Sequence, residues 1–288
     1  MRRIRLTAML CVLVQQGSQL GFAEQNLPAM PAGQLVREVI YNELHDHEAH
    51  GYWRYWIKKQ SPNQTVLEDQ VETPMGPVTR VTLRNGLALD AVPEQQEHDK
   101  LERLLTSRDE QAHHLRQYEE DEQRMGRILE PLPDAFLYDY DGTEDSCVCM
   151  RFRPNPAYTA QSIEARIFHG MGGSICVDTR SKRLVSLQGR IQQNVDFALG
   201  FLGRLYQGGW FRLKRVQVSA TDWKTESLEV HLTVRPVLVK SFARETSEQR
   251  GGFEPVPSAL TLAQGMGLLE QTEAKAEPQL RSPGSRAT

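Results

Sequence analysis

Apolar and polar residues alternate along much of this chain, most cleanly between Gly173 and Phe242. Ile175 and Val177 alternate with Ser174, Cys176 and Asp178. A period of two puts each set on one face of a strand. Thr179-Arg180-Ser181-Lys182 reads as a polar tight turn, and Leu184 to Ile191 returns as a second strand with Val185, Leu187 and Ile191 able to share a face. Phe197 to Tyr206 is apolar but interrupted by Gly200 and Gly203, which predict a bulge or bend. Gly208-Gly209 predicts a two-residue hairpin loop. Trp210 to Val218 would be the returning strand, with a slip of alternation near Lys214 that predicts a bulge. Leu228, Val230, Leu232 and Val234 then alternate with Glu229, His231, Thr233 and Arg235, giving one dry and one wet face. After Pro236, Val237 to Phe242 reads as a last or edge strand.

Upstream, Leu35, Val36, Val39, Ile40 and Leu44 form one stripe at helical spacing, predicting a helix over Gln34 to His47. Strands follow at Tyr52 to Lys59, Val66 to Thr73, Val78 to Arg84 and Leu87 to Ala91. Pro74 to Pro77 and Asn85-Gly86 supply the turns. Glu94 to Leu129 changes the period, with Leu101, Leu104, Leu105, Ala112, Leu115, Tyr118 and Met125 near one side of a wheel. It predicts one long amphipathic helix, or two broken near Ser107. Ala135 to Asp139, Cys147 to Arg153 and Ile163 to His169 read as further strands, and Ala259 to Leu269 as a short helix capped by Ser258. The expected organisation is one domain over 30–270 with a helical insertion at 94–129 and a disordered tail at 271–288. The expected class is α+β: a strongly curved antiparallel sheet, an unclosed β-barrel, with covering helices.

Composition narrows the partners. The 288 residues carry 25% charged side chains and a net charge of −3, so no basic excess argues for nucleic acid. Met1-Arg2-Arg3-Ile4-Arg5 is basic, Leu6 to Val14 is apolar, and Gly21-Phe22-Ala23 places small residues where a signal peptidase reads. Residues 1–23 therefore read as a secretory signal peptide cleaved after Ala23. No other stretch approaches the about 18 apolar residues of a membrane helix. The expected location is periplasmic or secreted.

Candidate chemistry is sparse. Cys147, Cys149 and Cys176 remain after cleavage, in a compartment where disulfides form. A bridge from Cys176 to Cys147 or to Cys149 is one reading, and three unpaired thiols is the other. No metal is expected: His45-Asp46-His47-Glu48-Ala49-His50 lacks zincin spacing, and histidines at a helix end favour its open carbonyls. His113-His114 reads as solvated surface, and Asp139 and Asp141 in Asp-Tyr-Asp-Gly as turn residues. Gly170-Met171-Gly172-Gly173-Ser174 precedes a strand, not a helix, so it reads as a hairpin turn and not a phosphate cradle. No Gly-x-Ser-x-Gly elbow occurs, so neither an enzyme nor a cofactor is expected. A cleft joining His231 to a carboxylate and a Ser or Cys would reverse that reading.

The early amphipathic helix, the run of strands, Gly173-Ser174-Ile175-Cys176-Val177-Asp178, Arg183-Leu184, Leu187, Gly189 and Asp222-Trp223-Lys224 together resemble the periplasmic lipoprotein-carrier half-barrel superfamily. That superfamily includes outer-membrane lipoprotein carriers and envelope-stress sensors. The resemblance implies an unclosed sheet with helices over its concave face and an apolar interior for acyl chains. The helical insertion and the Cys147-Val148-Cys149 pair depart from a simple carrier. The expected function is a binding protein for a lipid or the acyl chain of a lipoprotein. Val148, Met150, Phe152, Ile167, Val177, Leu187, Val230 and Leu232 are the candidate lining. The alternative is an envelope sensor or interaction protein that contacts a protein partner through Glu94 to Leu129.

Overall fold

A computed structural model describes residues 27–46, 51–197, 203–236 and 242–270. The leader, His47 and His50, the apolar stretches at 198–202 and 237–241, and the tail at 271–288 lie outside them. Helix α1 (Ala32–Leu44) is followed by strands β1 (Tyr52–Ser61), β2 (Gln64–Val71), β3 (Val78–Arg84) and β4 (Leu87–Ala88). Helices α2 (Ala91–Thr106), α3 (Arg108–Leu129) and the single turn α4 (Leu132–Ala135) come next. Strands β5 (Phe136–Glu144) and β6 (Cys147–Pro154), helix α5 (Ile163–Phe168), and strands β7 (Met171–Asp178) and β8 (Arg183–Ile191) follow. The chain ends with β9 (Val195–Phe197), β10 (Gly203–Leu205), β11 (Trp210–Gln217), β12 (Trp223–Pro236), β13 (Phe242–Val256) and α6 (Leu262–Glu270).

Among the described residues these strands form one thirteen-stranded antiparallel sheet that is not closed into a barrel. The order is β4-β3-β2-β1-β13-β12-β11-β8-β7-β6-β5, with β9 and β10 extending it beside β12. The first and last long strands, β1 and β13, lie side by side and join two halves of consecutive hairpins.

Register shows how burial changes across the sheet. Met150, Ile175, Leu187, Leu213, Leu228, Glu248 and Lys59 lie directly opposite one another in turn, so they share one face. At the Met150 end that face is dry. Leu35, Val36, Val39 and Ile40 of α1 pack there with Met150, Phe152, Ile175, Val177 and Phe168. The spacing of the α1 residues makes one stripe, and burial against the sheet holds the helix more than intrinsic propensity does.

Helices α4 and α5 add Leu132, Ala135 and Ala165 to that core, but α2 and α6 do not share its face. Val71 is opposite Arg54, one position out of phase with Trp53, Tyr55 and Ile57. It therefore points to the reverse side, where it packs with Val78 of β3, Leu101 of α2, Leu260 just before α6, and Leu262, Met266 and Leu269 of α6. Helices thus cover opposite faces at opposite ends, and the expectation of helices gathered over one concave face is corrected. A third, small cluster of Trp53, Tyr55 and Ile57 with Val218 and Phe253 sits near the seam.

Several local readings change. The expected strand over Ile163 to His169 is instead helix α5, Ile163–Phe168, because the Ser162 hydroxyl accepts the Ala165 N–H at 3.1 Å and starts a turn. Gly172 and Gly173 lie within β7, not in a turn. Gly208-Gly209 does not close a hairpin. Trp210 is opposite Arg190 and Leu205 is opposite Val195, so β8–β9 and β10–β11 form one interrupted ribbon with these glycines at the break. There the Ile191 N–H donates to Gly209 O at 2.7 Å and the Gly208 N–H to Ile191 O at 2.9 Å. Asp139 and Asp141 are strand residues of β5, and Asp141 pairs with Arg151 at 2.6 Å. The long polar strand β13 is an addition, since only its first residue falls within the expected edge strand. The bulge at Lys214/Arg215 is where the alternation slips.

Candidate functional site

Apolar side chains continue along the α1 face beyond the helix that covers its dry end. Leu187 on β8, Phe211 and Leu213 on β11, and Leu228, Val230, Leu232 and Val234 on β12 all keep some exposure. Leu187, Phe211, Leu213, Leu232 and Val234 pack against the α1 core. Val230 is opposite Phe211 on one side and Thr246 on the other, and Leu228 is opposite Leu213 and Glu248. The result is an apolar surface that passes under α1 on one side and is bounded by polar β13 on the other. Antiparallel pairing places opposed Cβ atoms within about 5.5 Å, so these side chains form a continuous patch.

Gly189 shapes this surface. A Cβ there would stand 2.2 Å from Phe211 Cε1 and 2.8 Å from Met171 Sδ. Its hydrogen lets the Phe211 ring lie down on the sheet, which flattens the patch.

The eight sequence candidates divide between core and surface. Met150, Phe152 and Val177 are buried in one cluster with α1, Met150 at 0% exposure, and Val148 is buried as well, so the four are packed core and not a free lining. Ile167 lies on α5 and not on a strand, packed against the same core. Leu187, Val230 and Leu232 lie on the half-open surface together. Phe211 and Leu213 were not singled out as lining. Their alternation with Arg212 and Lys214 carried the signal, masked by the bulge that follows.

A polar network closes the face beyond the patch. Lys224 Nζ contacts both Glu72 carboxylate oxygens, at 2.9 and 2.8 Å. Glu72 also accepts from the Tyr55 hydroxyl at 3.2 Å and from the Trp53 N–H at 3.1 Å. Burial, then the neighbouring Glu72 carboxylate, pushes the Tyr55 phenol far up, so it stays a neutral donor. Asp222 caps the start of β1 by accepting the Gly51 N–H at 2.6 Å. Burial alone would raise the Asp222 pKa, but hydrogen bonds from Ser219, Gly51 and Thr221 outweigh it and hold the carboxylate below its usual value.

The remaining candidates fall elsewhere. His231 pairs with Glu245 at 3.1 Å and lies near-parallel to Trp210, on the opposite side of β12 from Val230. His45 places Nδ1 2.7 Å from Tyr41 O, serving the last turn of α1. His114 is not solvated surface: it is half-buried near Gly76 and Tyr118, and burial lowers its pKa. A shallow hollow between α1 and the β7–β8 turn, formed by Arg37, Glu38, Tyr41, Asn42 and Lys182, is bridged by a Lys182–Glu38 ion pair. No helix among the described residues is long and apolar enough to cross a membrane.

Cys149 and Cys176 form a disulfide between directly opposed residues of β6 and β7, and Cys147 is free and half-buried. All three project from the face opposite Met150. Burial, then the nearby carboxylates of Asp178, Asp145 and Glu144, raises the Cys147 pKa and keeps the thiol protonated.

Comparison with protein-family models, curated proteins and solved structures finds no match.

Proposed function

We propose that this is an exported binding protein that holds an acyl chain, of a lipid or of a lipoprotein, against the half-open apolar face of β8, β11 and β12. The observation that carries this reading is the seven-residue patch from Leu187 to Val234, which continues the core into solvent beside α1. An acyl chain laid along it would gain roughly 25 cal/mol for each Å² of apolar surface removed from water. A contiguous apolar surface that keeps partial exposure favours a ligand or partner. The basic and apolar leader in residues 1–23, with small residues before Ala23, supports export, as does the Cys149–Cys176 disulfide. The resemblance to the lipoprotein-carrier half-barrels points to the same ligand class.

The test is lipid mass spectrometry of the mature protein purified from membranes, followed by titration with a fluorescent fatty acid. Bound acyl lipid and saturable fluorescence are expected. A protein that carries no lipid and leaves the probe in solution would overturn the reading.

A second reading rests on α3. None of its 22 residues is fully buried, and Met125 is 54% exposed, so the helix offers a long charged flank to an envelope protein. In-cell crosslinking from positions on α3 should capture one reproducible partner if this is the contact surface.

A further inference from the structure

The reverse face of the β5–β6–β7 corner collects soft and hard metal donors. Cys149 is opposite Gly142 on β5 and Cys176 on β7. One row along, Cys147 is opposite Glu144 on β5 and Asp178 on β7. Glu144 reaches toward the disulfide: its Oε2 lies 3.9 Å from Cys149 Sγ. The donor atoms of Glu144, Cys149 and Cys176 all lie within 4.8 Å of one another. Three strands joined by ladder hydrogen bonds hold them, so the spacing is built into the backbone.

We propose that reduction of the Cys149–Cys176 disulfide converts this corner into a binding site for a thiophilic divalent cation of the zinc class, with Cys149, Cys176 and Glu144 as ligands. Two sulfurs and one carboxylate oxygen match the donor preference of zinc and leave one position for water. The electron balance is simple. A dithiol reductant is oxidised to its own disulfide, and the two electrons and two protons convert the protein disulfide to two thiols. The cation then displaces the thiol protons and forms two metal–sulfur bonds. Asp178 is held elsewhere, accepting from the Ser181 N–H at 2.6 Å and the Ser181 hydroxyl at 2.7 Å, so it remains outside the ligand set but adds negative potential. The alternative use of three neighbouring cysteines, nucleophilic exchange started by Cys147, suits this corner less well. Carboxylates on both flanks disfavour a thiolate there, whereas they attract a cation.

This site is on the opposite face from the apolar patch and stands or falls independently of it. The experiment uses the full mature chain carrying Cys147→Ser, oxidised or reduced with a phosphine, and titrated with Co²⁺ as a spectroscopic substitute for Zn²⁺. The reduced protein should bind one equivalent with a sulfur-to-cobalt charge-transfer band of two-thiolate intensity, displaced by Zn²⁺. The oxidised protein should show none. Glu144→Gln should weaken binding by about tenfold or more, and adding Cys149→Ser or Cys176→Ser should remove the two-thiolate band. Circular dichroism of each sample separates lost binding from lost folding. A folded, reduced protein without the band, or equal binding by the oxidised form, overturns the proposal.

Discussion

Glu43, one residue from the end of α1, accepts the backbone N–H of Leu184 on β8 at 2.8 Å. The same carboxylate receives the Arg183 guanidinium at 3.1 and 3.2 Å and also pairs with Arg215 on β11. Its side chain is 5% exposed. Helix α1 is therefore clamped to two strands by one charged atom group at the edge of the apolar patch. Removing it leaves Arg215 buried without its carboxylate and the Leu184 N–H without its acceptor. Glu43→Ala should lower stability by about 3 kcal/mol, measured by urea denaturation.

The patch itself can be tested without entering the core. Val230 is only half-buried and lies between Phe211 and Thr246. Val230→Glu should leave the circular dichroism spectrum unchanged and weaken fluorescent fatty-acid binding by about tenfold or more, because a carboxylate would face the acyl chain. Met150→Ala, in the core under α1, should instead lower stability and leave affinity nearly unchanged once the protein is folded.

Two glycines should respond in opposite directions. A Cβ at Gly173 would sit 1.9 Å from Gln188 O, a backbone atom, and 2.8 Å from Phe152 Cζ. Gly173→Ala should cost about 3 kcal/mol or more through overpacking. Gly126, inside α3, has nothing within 4 Å of the same position. Gly126→Ala should raise stability by about 0.5–1 kcal/mol, and thermal melts of the pair would show it.

Asp222 predicts an acid limb. Its carboxyl is held below the ordinary 3.8, so its ionised form favours the folded chain. That contribution is complete above the unfolded value and disappears as pH falls through the lower folded value. Asp222→Asn should therefore be less stable than the parent at neutral pH, with the gap closing below pH 3.8. Denaturation curves for both proteins between pH 2 and 7 measure it.

The disulfide closes a loop with a sequence separation of 27. Chain entropy alone gives it about 3 to 4 kcal/mol. Cys176→Ser should lose that amount in denaturant titration under non-reducing conditions.

Much of the architecture was legible in alternation. The antiparallel class, the α1 stripe, the helix break and the bulge near Lys214 all follow from local pattern. Ser107 starts α3 by accepting the Glu110 N–H at 3.3 Å, the bond a helix break at a serine suggests. The errors have one physical origin, which is that partners decide. Ile163, Ala165 and Ile167 alternate as a strand would, but Ser162 nucleates a turn of helix. Arg244 to Gly252 has no apolar alternation to mark a strand, yet ladder bonds to β1 and β12 make it a central one. Met150, Phe152 and Leu232 share one face, and no local signal tells which of them α1 will cover. The Cys149–Cys176 pairing depended on register, which the two spacings alone left open between Cys147 and Cys149.

The seam between β1 and β13 sets when folding can finish. Tyr52 waits for Val256, and nothing synthesised earlier can take that place in the ladder. Such distant pairing is slow to form. A ribosome emitting this polypeptide would therefore carry an opening strand paired on its β2 side alone until β13 emerged, leaving an interval in which the newborn chain is still pliable enough to be threaded elsewhere.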